Sequence, residues 1–335
     1  MSFAPLPDLA QNQALRRDIS DLRARLDVAG EEVASGLRSD PTRAAGGDPA
    51  RLFAIERGQA EAERRAKAVV VAQGRVSTIQ QALGGLQDLA DELGLELSAA
   101  LGRGDLVAAR LHAQGAEGAL QDAVNTLNKS YAGRSLFAGA ETRAAAVAPA
   151  EDILADVEAI VSAAPDVATA LADIDAYFGP GGGFETVRYL GAAADGPQVS
   201  LDGGAVLPPG PRADDAAFRD LLKGLVTAAV AADPAYAGPL DGAPDLLGAA
   251  ASNAIQARED VVFLRSELGL SEQRLEQAAT RLSARRFALD RAWNDAFVRD
   301  PYEAASEFQA LEAQLQSTFA VTARLASLSL STFLR

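Results

Sequence analysis

Apolar positions fall into helical stripes near both ends of the chain, and proline and glycine break the pattern in the middle. Leu15, Ile19, Leu22, Leu26, Ala29 and Val33 step by four and three, an a/d heptad stripe that predicts an amphipathic helix. Arg16, Arg17, Asp18, Asp21, Arg23, Arg25 and Asp27 fill its flanks. Gly36 and Asp40-Pro41 end the stripe, and Gly46-Gly47-Asp48-Pro49 extends the break. A second stripe, Val76, Ile79, Leu83, Leu86, Ala90, Leu93, Leu97 and Leu101, predicts a helix starting near Leu52. It would run for about 50 residues, roughly 75 Å. Gly84-Gly85 and Gly94 weaken it by roughly 1 kcal/mol each relative to alanine. Gly102-Arg103-Gly104-Asp105 supplies a turn before a third helix, from about Leu106 to Tyr131.

The strictest stripe lies toward the far end. Ala254, Val261, Leu268, Leu275, Leu282, Leu289 and Ala296 recur every seventh residue, with Leu264 and Ala278 between them. After Asp300-Pro301, a last helix carries Phe308, Leu311, Leu315, Thr318, Thr322 and Leu325 and ends in Leu328, Leu330, Phe333 and Leu334. Pro301 suits a first helical turn, where its missing N–H is no loss. Ten of the 15 prolines fall between Pro149 and Pro244, so the middle cannot be one helix. There Ile153 to Phe178 and Ala217 to Ala232 predict helices. Phe184–Leu190, Gln198–Leu201 and Ala205–Leu207 predict short strands between turns.

A terminal amphipathic helix cannot hide its stripe alone, and pairing the first stripe with the last is the economical solution. The expected fold is mainly α, a long-helix bundle whose terminal helices pair as a coiled coil, with a small α+β insertion. Its segments would be 1–45 (coiled coil, mobile in the free monomer), 46–145 (helical core), 146–248 (outer insertion), 249–299 (helical core) and 300–335 (coiled coil). On this reading, residues 180–212 are dispensable to the helical frame.

Composition narrows the function. Aromatic residues make up only 5% against 48% hydrophobic, a mix suited to closely packed helices rather than an aromatic-lined pocket. The formal net charge of −15, with no basic run, argues against nucleic acid or an anionic membrane surface as partner. With no cysteine there is no disulfide or thiolate chemistry. The first residues lack the basic and apolar regions of a general secretory signal. No stretch approaches the roughly 20 apolar residues of a membrane span.

Candidate chemistry is sparse, and neither an enzyme nor a cofactor is expected. His112 is the single histidine, which rules out a histidine-rich metal site. No nucleophile elbow surrounds any serine. Gly179-Pro180-Gly181-Gly182-Gly183 lacks the lysine and the context of a phosphate loop. Glu31-Glu32 and Asp214-Asp215 read as solvated faces or helix starts, Asn128-Lys129-Ser130 as a chance glycosylation pattern, and Trp293 as a packing anchor. The apolar end, Leu328, Leu330, Phe333 and Leu334, is unlike an ordinary polar terminus and implies burial, either in the same molecule or, the favoured reading, against neighbours in an assembly.

Four segments carry a resemblance. Val33-Ala34-Ser35-Gly36-Leu37-Arg38 is similar to a Ser/Thr-Gly-x-Arg helix end, and Gly47-Asp48-Pro49-Ala50 to an Asp-Asp-Pro-Ala turn with glycine for the first aspartate. Asn128 to Gly139 resembles an Asn-Gly-Arg-Tyr-Leu-Phe-Gly motif, with Ala132 for the asparagine and Ser135 for the tyrosine. Arg324 to Leu334 resembles a closing Leu-Ser-Leu-x-x-x-Leu tail. Together they resemble the bacterial flagellin superfamily, and within it the hook-associated protein 3 family of hook–filament junction proteins, over about residues 1–145 and 245–335.

The resemblance implies a structural subunit exported through the flagellar type III channel without a cleaved signal and located outside the cell. Its partners would be the adjacent junction-protein layer, flagellin, copies of itself and an export chaperone. It assigns assembly to Leu15, Ile19, Leu22, Leu26, Val33, Phe308, Leu311, Leu315, Leu325, Leu328, Leu330, Phe333 and Leu334. The family motifs fall on Gly36, Arg38, Asp48, Pro49, Tyr131, Gly133, Arg134, Leu136, Phe137 and Gly139. Alternatives are flagellin itself, which would polymerise indefinitely, and a cytosolic coiled-coil scaffold.

Overall fold

The computed structural model describes residues 6–44, 46–196, 198, 206–236 and 243–333, with side chains over 13–44, 46–196, 198, 206–236 and 243–324. Two compact units emerge, Met1–Arg64 with Ser283–Arg335, and Arg65–Leu282. Each is described by itself below.

In the first unit, α1 (Leu6–Ser35) packs along the last helix, α10 (Pro301–Phe333). Arg23 lies over the Phe319 ring and Gly30 against Phe308, so the two helices run antiparallel. A short α2 (Pro41–Ala44) follows α1. The start of α3 (Pro49–Gly102) and the end of α9 (Ala243–Phe297) complete the unit, with Leu52 and Ala296 buried beside Phe297. Trp293 stacks on Phe297 at 5.1 Å between ring centres, as a packing anchor should. Local chemistry sets the helix starts. Asp48 Oδ1 accepts the Ala50 N–H at 2.9 Å ahead of Pro49. Asp300 Oδ1 likewise accepts from Tyr302 and Glu303 N–H ahead of Pro301.

The second unit holds the main core. Leu83, Leu86 and Leu97 of α3 and Leu246, Val261 and Leu275 of α9 are buried in one cluster. That cluster also takes in α4 (Leu106–Ala113), α5 (Ala116–Leu127), α6 (Ala150–Ala163), α7 (Val167–Phe178) and α8 (Ala216–Ala232). α8 packs against α4, α5, α6 and α7. It is apolar around most of its circumference, as a helix surrounded by others must be. Polar contacts register α3 against α9: Gln80 donates to the Arg265 carbonyl at 2.9 Å, and Arg258 pairs with Asp91.

Three expectations need correction. The helix foreseen from Leu106 to Tyr131 is broken at Gln114-Gly115 into α4 and α5, and Ser130–Tyr131 is strand β1. The helix from Ile153 to Phe178 is broken at Ala164-Pro165-Asp166, where proline removes a donor and Asp166 caps α7 through the Thr169 N–H at 2.8 Å. The strand expected at Phe184–Leu190 is instead a π-helical turn, Phe184–Arg188, and only Tyr189 pairs, in a single bridge to Val147. Tertiary anchors override the strand bias of Thr186 and Val187: Phe184 is fully buried near Phe178, and Arg188 is held by Asp156. The Gln198–Leu201 strand falls almost wholly outside the described residues, as does Ala205. The described strands are therefore β1 and β2 (Arg134–Ser135), and the fold is mainly α.

The segment 180–212 contributes side chains to the helical core. Phe184, Tyr189 and Leu207 belong to the same buried cluster as Leu86 and Leu97.

Candidate assembly surfaces

The terminal seam is built from the two predicted stripes. Leu22, Ala29 and Leu311 are buried, with Leu26, Phe308 and Leu315 partly buried around them. Leu15 and Ile19 are half-buried on α1, as are Thr318 and Thr322 on α10. Ala304, absent from the sequence-derived set, heads the α10 stripe and is buried; its place four residues before Phe308 was the available signal. Val33 is 45% exposed, because at that level Glu32 turns inward. The side chains of Leu325, Leu328, Leu330 and Phe333, and all of Leu334, lie outside the described residues.

The seam residues are thus occupied within one chain. Val28, Val33, Phe319 and Val321 remain outward-facing apolar positions on the pair. So small a buried set gives the pair little hydrophobic stabilisation of its own.

Beyond the seam the two chain segments are clasped. Leu37 and Val298 form an antiparallel bridge. Around it, Arg38 N–H donates to the Phe297 carbonyl at 2.8 Å and Arg299 N–H to the Gly36 carbonyl at 3.0 Å. Arg38 Nε adds a bond to the Val298 carbonyl at 3.1 Å. The Arg299 guanidinium donates to Glu307 Oε2 at 2.6 Å and lies at ion-pair distance, 3.5 Å, from Glu32 Oε2. Glu303 stands 3.8 Å away. Ser39 donates both its N–H and its hydroxyl to Glu32 Oε1 at 2.8 Å. Burial alone would raise the Glu32 carboxyl, but the Ser39 bonds and the charges of Arg299 and Arg38 outweigh it and hold it below its ordinary value.

Most motif positions between Asn128 and Gly139 build the second unit. The β1–β2 hairpin turns through Ala132 and Gly133, both at positive φ (50° and 74°), as a two-residue turn of the primed type requires. Tyr131 packs on Gly74 of α3, and Arg134 pairs with it across the hairpin. Leu136 and Phe137 are buried, and Phe137 meets Phe218 of α8 edge-on at 5.6 Å. Gly139 sits at φ 59°, with the Ala192 and Ala194 carbonyls only 2.5 and 2.6 Å from where a Cβ would stand. Asn128 buckles the segment: its Oδ1 accepts from Ala146 and Val147 N–H, and its Nδ2 donates to the Val147 carbonyl. Gly36 and Arg38 belong to the clasp, and Asp48 and Pro49 to the start of α3.

One residue of each acidic pair departs from the expectation of a solvated face or helix start, while Glu31 is exposed. Glu32 is enclosed by Arg299 and Ser39 rather than solvated. Asp214 is buried, holding Arg212 through bonds of 2.9 and 3.0 Å, while Asp215 does precede α8. The clearest pH-sensitive group is Asp156, which accepts from Arg188 Nε and Nη2 at 2.7 and 2.8 Å and from the Tyr177 hydroxyl at 2.7 Å. The Arg188 hydrogen bonds lower its carboxyl against the opposing effect of burial, and Tyr177 helps. Tyr189 is pushed up to about 12, chiefly by burial. His112 lies 3.6 Å from Glu96 at the surface. Among the described residues no group of three or more His, Cys, Asp or Glu could hold a metal ion.

Residues 252–334 match the family model of the bacterial flagellin C-terminal helical region. That match spans most of the strict heptad helix α9 and the closing helix α10. The fold is similar to the crystal structure of FlgL from Bacillus cereus, with a TM-score of 0.50 and 16% identity over 72% of this chain and 100% of that one. No curated protein matches the chain significantly.

Proposed function

We propose that this chain is a structural subunit of the bacterial flagellum, forming the layer that joins hook to filament. The observation carrying this reading is that the chain's first and last helices pair in one heptad seam. It is joined by the flagellin-type region over 252–334 and the FlgL-like fold. On this reading the subunit is exported through the flagellar channel and lies outside the cell. It contacts copies of itself, the neighbouring junction layer and flagellin, with an export chaperone before secretion.

Assembly would run through the terminal pair. Leu15, Ile19, Leu22, Leu26, Phe308, Leu311 and Leu315 align it, and Val33 and the tail from Leu325 to Leu334 meet neighbours. Because the pair has so small a core, segments 1–45 and 300–335 gain their full order only in the assembly, and limited proteolysis of the free chain trims them first. Seeding purified protein on hook fragments tests the reading against a filament subunit. A junction protein adds a bounded layer; growth of micrometre filaments would assign the chain to the filament instead.

A further inference from the structure

The heptad seam alone does not select one alignment of α1 against α10. Leu15, Ile19, Leu22, Leu26 and Ala29 face Phe308, Leu311, Leu315, Thr318 and Thr322, mostly aliphatic or small side chains repeating every seven residues, with Phe308 the one large ring. Sliding one helix by a heptad, about 10 Å, again opposes apolar to apolar. The Gly30–Phe308 fit favours one alignment only mildly, since a Cβ on Gly30 would stand 3.4 Å from the ring, an ordinary contact.

Discrimination comes from the clasp. We propose that Arg299 is a positioning residue that fixes the register of the terminal helix pair. Its N–H is tied to Gly36 at the end of α1, and its guanidinium touches Glu32 on α1 and Glu307 on α10. Both carboxylates and the main-chain bridge can meet at Arg299 in one alignment only. A one-heptad slip carries Glu32 and Glu307 about 10 Å apart along the seam. Glu32, whose side chain is 15% exposed, then loses the Arg299 charge that reaches it from the α10 side. An apolar slip is nearly neutral, whereas separating an enclosed carboxylate from its partner is not, so the ion pair decides. The same logic lets a single polar contact set register in an otherwise permissive coiled coil.

The proposal concerns the single chain and stands or falls independently of the flagellar reading. The sequence contains no cysteine, so engineered pairs in the full-length chain report cleanly. Arg23→Cys with Phe319→Cys reports the native register, and Arg23→Cys with Glu312→Cys reports a one-heptad slip. Each pair is made with Arg299, Arg299→Lys and Arg299→Gln, and intramolecular cross-linking by a short bis-maleimide is measured in dilute solution. With Arg299, the 23–319 yield should exceed the 23–312 yield several-fold. Arg299→Gln should cut that ratio several-fold, and Arg299→Lys should restore most of it. An unchanged ratio in Arg299→Gln at native helical content overturns the proposal, as do equal or absent cross-links with Arg299 in place. Should Arg299→Gln lose helical content, Glu32→Gln, which removes the ion pair crossing to α1 and spares the main-chain bridge, must lower the ratio, and no change there overturns the proposal equally.

Discussion

The Tyr131 hydroxyl fills the space that a Cβ on residue 74 would occupy, so the hairpin motif is locked onto α3 at a glycine. Gly74→Ala sets a helix-propensity gain of about 1 kcal/mol against an overpacking cost of roughly 1–3 kcal/mol. Overpacking wins, because tyrosine ring and hydroxyl atoms both overlap the new methyl. Gly85→Ala on the same helix has nothing within 4 Å and should stabilise by about 1 kcal/mol. Urea midpoints should therefore move in opposite directions. A stabilising Gly74→Ala would show that Tyr131 is free to move aside.

Charge in the terminal seam should separate folding from assembly. Leu22 is buried and Leu315 partly buried in a core confined to the terminal pair. Leu22→Asp or Leu315→Asp should leave the thermal transition of a 65–282 core fragment's counterpart in the full chain unchanged, while abolishing assembly and motility. Normal motility in either strain would contradict the role given to the seam.

Acid should weaken the second unit through Asp156. Its carboxyl is lowered in the fold, so the stability it adds is present above the ordinary carboxylate range and is lost as pH falls through its depressed value, below about pH 4. Asp215 acts oppositely, because burial raises its carboxyl. Comparing the native chain with Asp156→Asn removes that contribution. The stability difference should hold from pH 6 to about pH 4 and shrink below that, whereas a difference constant down to pH 3 would mean that the Arg188 contact is not charge-based.

The buried Phe184 ties the middle of the chain to the helical core. Phe184→Ala should cost roughly 3–5 kcal/mol, and deletion of 180–212 should abolish cooperative unfolding of the second unit. Calorimetry decides the point: a sharp native-like transition in the deletion variant would show that the segment is separable after all.

The heptad stripes made the long helices and the terminal pairing legible, because a 3.5-residue repeat needs only local sequence to be seen. Leu22, Leu26, Ala29, Phe308, Leu311 and Leu315 could be placed on that basis alone. The middle was harder. Phe184-Glu185-Thr186-Val187-Arg188 has strand-like composition, and its helical turn depends on Asp156, which lies 32 residues before Arg188. The clasp was hidden for the same reason. Arg299 and Glu32 look like ordinary surface charges until the fold brings positions 37 and 298 together.

Electron microscopy of a strain lacking this chain tests the central claim most directly. The account predicts cells bearing hooks without filaments, with flagellin lost to the medium and filaments restored by the native gene. Filaments of normal length on the deletion strain would contradict it.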